Sequence, residues 1–379
     1  MSEPVRAGVP ARYEAALFAV AGAAVLLSQL GYSFERGDQL QYLLLPYRSI
    51  YPDFLRGDWF TWHTTHYHHA FSYLVIAIHA LSGEAAFAAA MLAAHVGVLL
   101  ALGYAILRLG RGFGFGWLHA ACALCVLSFV RETGLAGDTL NHAQLVPSDI
   151  ALPPFLLACA AWLEGRLLRA GAWLGVSGLV HANFAVLGPL VLFPAQAWLA
   201  TGARERRLSG LLALIAPFAL LAAPTLWLTA RGFLAADAAP WAISIMLKIR
   251  SPHHYDLAAF SAQDATWLCL LLIAGGPAWL AGSMWRERPR NRLLLLALAA
   301  VLALGLLGSL AGVTALTRLF VWRLSIPMIV IALFAIAQSM RELLQRRDHS
   351  VWPWLAGCIA VIAPFVRDDL PLLGTLGVS

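Results

Sequence analysis

Charge is what this chain has least of. Only 12% of its 379 residues are Asp, Glu, Lys or Arg, about half the share of a soluble domain, and lysine occurs once, at Lys248. No stretch is long and polar enough to form a separate soluble domain. Cysteine is scarce as well. Cys122, Cys125, Cys159, Cys269 and Cys358 all fall inside apolar runs, so no disulfide framework is implied. Cys122 and Cys125 form a CxxC, but within an apolar run they are small core residues. The glycine-rich GRGFGFGWLH at 110–119 lacks the strand–turn–helix setting and the Lys-Ser/Thr ending of a phosphate loop. It is a tight turn between helices. The net charge of +6 comes from arginines that orient helices, and nothing points to nucleic acid.

What the chain has is apolar surface. The 60% apolar content and mean hydropathy of +0.74 predict an all-α polytopic integral membrane protein, one transmembrane domain over 1–379. A span needs about 17–25 apolar residues. Candidates are 13–31, 84–108, 113–130, 149–164, 207–230, 264–285, 292–314, 318–340 and 351–366. A weaker run lies at 70–82, and a long one covers 171–200. Together these predict about 10–11 helices. The N-terminus lacks a small-residue cleavage site after a short apolar core, so the first span is expected to be retained.

Arginines cluster at Arg6/Arg12, Arg108/Arg111, Arg166/Arg169, Arg204/Arg206/Arg207, Arg286/Arg288/Arg290/Arg292 and Arg341/Arg346/Arg347. The positive-inside rule places all of them, and the N-terminus, on the cytoplasmic face. That requires the 70–82 run not to cross fully. It also requires 171–200, interrupted by HAN at 181–183, to be a short re-entrant-like helical hairpin. The acids then sort themselves. Ten of the twenty face outward, in three long polar segments at 31–69, 131–149 and 230–264, which are expected to form the site.

The first segment, GYSFERGDQLQYLLLPYRSIYPDFLRGDWFTWHTTHYHH, carries Glu35, Asp38 and Asp58 and closes on four histidines. DQLQYLL also reads as an N-cap followed by a helix, so Asp38 has a capping alternative. The second places Asp138 and His142 where they can reach the space beside Asp38, unless it is only a solvated loop. His181, at the hairpin apex, is a functional candidate because ionisable groups near the membrane interior are costly. A neutral histidine at a helix end is the plainer alternative. In the third, LKIRSPHHYD gathers Lys248, Arg250, His253, His254 and Tyr255, cationic and hydrogen-bonding groups of the kind that hold a phosphate. Arg323 lies deep enough in its span to need an acidic or phosphate partner.

In layout, over roughly residues 13–200, FERGDQLQYLLLP and RLLRAGAWLGVSGLVHANFAVLGPLVL resemble the GT-C glycosyltransferases. QYLLLPYRSIYPDFLRGDWF also resembles a set of uncharacterised bacterial polytopic proteins. The GT-C resemblance implies inverting transfer of a sugar from a polyprenyl-phosphate donor, on the non-cytoplasmic face of a bacterial inner membrane. It implies Asp38 as the first-loop catalytic acid, with Glu35 standing in for a second acid where this chain has Gln39. With a donor of that kind, Lys248, Arg250, His253, His254, Tyr255, His181, His142, Asp138 and Arg323 are the residues expected to bind substrate, and membrane lipids surround the site. Two other readings stay open. His63, His66 and His69, spaced three apart, could hold a divalent metal with Asp58. A transporter or channel would use polar groups too, but it normally shows paired broken helices, and only one broken segment is seen here.

Overall fold

The computed structural model describes residues 11–63, 68–129, 134–199, 204–235, 245, 248–249, 252–262, 265–266, 268–273, 288–317 and 319–345. Among them the chain is helical and contains no strand. Six helices are long and apolar enough to cross a membrane: Tyr13–Leu30, Glu84–Phe113, Ala182–Leu199, Leu208–Arg231, Pro289–Leu310 and Val321–Gln338. This is a polytopic helical architecture. The expected span at 351–366, and most of that at 264–285, lie outside the described residues.

The helices are α1 (Ala11–Leu30), α2 (Gln39–Ile50), α3 (Trp59–His63), α4 (His69–Ser82), α5 (Phe87–Phe113), α6 (Trp117–Phe129) and α7 (Pro147–Leu163). They continue with α8 (Leu167–Val180), α9 (Ala182–Leu199), α10 (Arg204–Ala235), α11 (Pro252–Tyr255), α12 (Pro289–Leu310), α13 (Thr314–Thr317) and α14 (Ser325–Gln345). Local chemistry sets several boundaries. Gly114, at φ 93°, ends α5 by returning its N–H to the Arg111 and Gly110 carbonyls, a left-handed stop that suits glycine. Pro147 opens α7, where its missing N–H costs nothing.

One end of the bundle is built from arginine. Arg108 pairs with Glu164 at 2.6 Å and Arg111 with Glu14 at 2.9 Å. Arg290 donates to the Trp162 carbonyl at 2.6 Å, and the Arg288 guanidinium lies against Gly114. The N-terminal part of α1, the C-terminal ends of α5 and α7 and the N-terminal end of α12 therefore share this end. The opposite end holds the α1–α2 connection, the 134–146 loop, the α8–α9 junction and the start of α14.

Between the ends, α8 packs on both α7 and α10. Gly171, Gly175 and Gly178 form its contact stripe. A Cβ at Gly171 would overlap the Leu214 carbonyl, and one at Gly175 would lie 2.7 Å from the Leu221 Cβ. Small residues bring helix backbones close where no hydrophobic effect drives them together. Gly171→Leu should therefore lower the thermal midpoint in detergent by several degrees. Gly116→Ala, where a Cβ meets nothing within 4 Å, should leave it unchanged.

α8 and α9 fold back on each other, with Gly178 against Ala185 and Gly188 against Leu174. The break is one residue long. His181 leaves the helical region at φ −140°, ψ 118°, which makes the hairpin expected from HAN. α4 does not cross the bundle. It starts with the His68 ring tilted against that of His181, centroids 4.6 Å apart, and ends at the turn into Phe87, which packs on Phe34 just after α1. Both ends of α4 thus sit at one end of the bundle. There α2 and α4 bury a small core of their own, in which Leu43, Phe71, Val75, Phe87, Met91 and Leu145 close together.

Candidate functional site

Beneath that helical layer, one cleft is lined by Asp138, Thr139, Ser148, Asp149, Leu152, Phe184, Arg323 and Ile326. Its space is about 210 Å³ with the open mouth included. Two carboxylates and a guanidinium share its wall, in a chain where charge is rare.

The 134–149 loop delivers both acids. Gly134 is pressed against the Ser325 hydroxyl, leaving no room for a Cβ, and that hydroxyl accepts the Leu135 N–H at 2.9 Å. Ala136 and Gly137 both adopt positive φ. The tight turn closes when Gly134 N–H donates to the Asp138 carbonyl at 2.7 Å. Asp138 is thereby buried, 3.4 Å from Arg323 Nη2. Arg323 comes from the turn Val321–Leu324 that leads into α14, and its guanidinium lies 5.0 Å from the Phe320 ring centroid. Its Nη1–H points at His181 Nε2 at 2.7 Å and the Asn183 N–H points at Nδ1 at 3.2 Å, of which a neutral imidazole accepts one. Both nitrogens of His181 face donors, so an imidazolium proton would find no acceptor there.

The second pair is His142 with Asp149. Nδ1 lies 2.7 Å from Asp149 Oδ1, the His142 backbone N–H donates to Oδ2 at 3.0 Å, and Nε2 lies 3.2 Å from the Thr139 hydroxyl. Burial opposes the His142 cation, but the Asp149 carboxylate, with a further pull from Asp138, carries its pKa up to about 9. Asp138 is pushed upward by burial, partly offset by Arg323, His142 and His254. Burial and the neighbouring Arg323 hold His68 down to about 3, against a hydrogen bond to the Val180 backbone.

No family model, no curated protein and no solved structure matches this chain. The site therefore has to be argued from its own geometry.

That geometry brings together Asp138, His142, His181 and Arg323, drawn from four stretches of the sequence. His254 joins at the rim, its Nδ1 2.8 Å from the Ala136 carbonyl and its ring 4.8 Å from Phe320, with Tyr255 also on Phe320. Asp38 stands at the start of α2 with an exposed side chain that makes no cap hydrogen bond. Its neighbour Gln39 is fully buried and ties the first loop down. It accepts from Glu35 N–H at 2.7 Å and donates to the Leu145 carbonyl at 3.1 Å. Glu35 is exposed and accepts the Tyr47 hydroxyl. Lys248 is exposed, while Arg250 and the side chain of His253 lie outside the described residues. So do His66 and the side chain of His63. Asp58 caps α3 by accepting the Thr61 N–H at 2.7 Å. Among the described residues, no three His, Cys, Asp or Glu side chains are grouped to hold a metal.

Asp149, His68, Thr139 and Ser148 join the site without having been singled out as site residues from sequence. Asp149 precedes an apolar helix and so resembled a cap, but Val146 occupies the N-cap position. The signal was there in part: a carboxylate inside a first turn, seven residues after a histidine.

The two shifted histidines predict a stability optimum. His142 has a raised folded pKa, so its contribution is complete below its unfolded value and lost as pH rises towards 9. His68 has a depressed folded pKa. The unfolded chain therefore binds the extra proton below about 6.5, and stability falls as pH drops towards 3. Stability, followed as the thermal midpoint, should peak near the histidines' ordinary pKa and fall on both sides, by roughly 1–2 kcal/mol at about pH 5 and about pH 8.5. His68→Phe should flatten the acid limb alone, and an unchanged limb would remove His68 from this account.

Proposed function

We propose that the protein is a membrane glycosyltransferase of GT-C-like layout, which moves a sugar from a polyprenyl-phosphate donor to an acceptor hydroxyl. The observation that carries this reading is the cleft itself: buried Asp138 facing Arg323, at the end of the bundle opposite the arginine pairs. In this reading the arginine end and the N-terminus lie in the cytoplasm, in keeping with the positive-inside rule, and the cleft opens on the non-cytoplasmic face of a bacterial inner membrane.

The chemistry follows from charge placement. The acceptor oxygen attacks the anomeric carbon as the bond to the donor phosphate breaks, and the acceptor proton passes to Asp138. An upward-shifted carboxylate is a better base near neutrality than an ordinary one. Prenyl phosphate leaves with the bonding electrons, and its charge falls to Arg323 and the His142 cation, fixed groups that need no reorganisation. Thr139 and Ser148 can orient sugar hydroxyls. His254 and Tyr255 border the donor side, and Lys248 with Arg250 would meet the phosphate as it arrives along the lipid surface. In the rival reading, a transporter, polar groups would continue towards the arginine end. Below the cleft the described neighbours are Leu152, Phe155 and Phe184, with Trp162 fully buried beyond, which supports chemistry at one face.

The test has two arms. Purified protein in nanodiscs should bind a polyprenyl-phosphate sugar and release prenyl phosphate when a hydroxyl acceptor is supplied; absence of both across a panel of sugars would end the proposal. In cells, with native cysteines replaced, Ser49→Cys should react with an impermeant maleimide and Ser209→Cys should not. The opposite pattern would invert the topology.

A further inference from the structure

The mechanism leaves one buried histidine unused. His95 lies on α5, fully buried, and neither ring nitrogen has a hydrogen-bonding partner among the described residues. The Tyr32 ring is 5.3 Å from it, centroid to centroid, and the Tyr32 hydroxyl is likewise buried without a protein partner. Apolar packing between α1, α5 and α7 does not call for an imidazole. A buried polar group without a partner costs up to several kcal/mol, and within a membrane span an ionisable side chain is a functional candidate by default.

The loop that carries His142 is tied down beside them: the N–H of Ser33, next to Tyr32, donates to the carbonyl of Ala143, next to His142, at 2.8 Å. Asp149 is almost closed to the outside, its side chain 2% exposed. A neutral imidazole offers one donor and one acceptor, and a tyrosine hydroxyl offers both. Water can satisfy all of these in a small polar space, provided it finds two to four polar partners. The two His95 nitrogens and the Tyr32 hydroxyl supply that number.

We propose that His95 and Tyr32 line an internal water-holding pocket that meets the His142–Asp149 pair from inside the bundle and gives it a route for proton exchange. A proton accepted at one nitrogen of His95 is matched by one released from the other, so the route moves protons without net chemistry. His95 is then a positioning and relay residue that does not touch substrate. The inference does not depend on which group the cleft transfers.

The experiment uses full-length protein in lipid bilayers, labelled with ¹⁵N-histidine, and solid-state NMR with magnetisation transferred from water. In the parent protein, water magnetisation should reach the His95 ring early despite its burial. His95→Leu should slow exchange of the His142 Nδ1 proton several-fold, and His95→Gln, which keeps a donor and an acceptor, should restore most of it. Tyr32→Phe should give an intermediate rate, and it serves as the test if His95→Leu fails to fold. A dry His95 in the parent, or unchanged His142 exchange in a folded His95→Leu or Tyr32→Phe protein, overturns the proposal. No transfer assay enters, so the result stands apart from the glycosyltransferase reading.

Discussion

Arg323→Met should destabilise the protein by roughly 3–5 kcal/mol, the usual cost of removing one partner from a buried ion pair. The substitution keeps the side chain's length while removing its charge. It strands Asp138 beside His181, whose Nε2 loses its donor. The carboxylate will respond by taking up a proton, which moderates the loss and gives it a pH signature. A carboxylate whose folded pKa is raised is most stabilising below its unfolded value and becomes costly as pH rises. Relative to the parent, the deficit should therefore shrink on acidification. Adding Asp138→Asn should recover much of the stability, because the uncompensated charge is then gone. The double-mutant cycle in detergent-solubilised protein measures the coupling. If the double variant is no more stable than Arg323→Met alone, the two residues do not act as a pair and the charge balance argued for the cleft fails.

The second large effect concerns rate. Asp138→Asn preserves shape and hydrogen-bonding reach, but an amide cannot accept the acceptor's proton. Loss of a general base typically costs about 10²–10⁴ in rate, so transfer should fall by at least a hundredfold while donor binding persists. Asp38→Asn provides the contrast. Its side chain is exposed and makes no cap hydrogen bond, so the amide disturbs neither folding nor the cleft, and activity should stay near that of the parent. The reverse pattern, with transfer lost in a stably folded Asp38→Asn protein and kept in Asp138→Asn, would return catalysis to the first loop.

The contrast also marks what could be read from sequence. The arginine clusters announced which helix ends lie together, and the structure joins Arg108, Arg111 and Arg290 to neighbours at one end. The hairpin was legible because 171–200 is too long for one span and breaks at a polar tripeptide. The failure of 70–82 to cross followed from parity alone. The site was legible as separate residues, not as a constellation. Asp138 and Arg323 are brought together only by a turn that glycine permits at 134, under a serine from α14, and no local pattern records that contact. In the first loop the conspicuous residue was the charged one. The fold there rests instead on its neutral neighbour Gln39, since a buried amide can both donate and accept where a carboxylate could only accept.

The shortness of α8 sets the depth of the turn that carries His181. Its 14 residues rise about 21 Å, against a hydrocarbon layer of about 30 Å. His181 therefore stops some way below the plane where the longer helices emerge, by a gap close to the diameter of a single helix. α4, which turns back on the side it started from, is the piece that fills this gap. Its first turn rests against the apex of that shorter helix, with His68 beside His181, and the rest of α4 lies along the same end of the bundle.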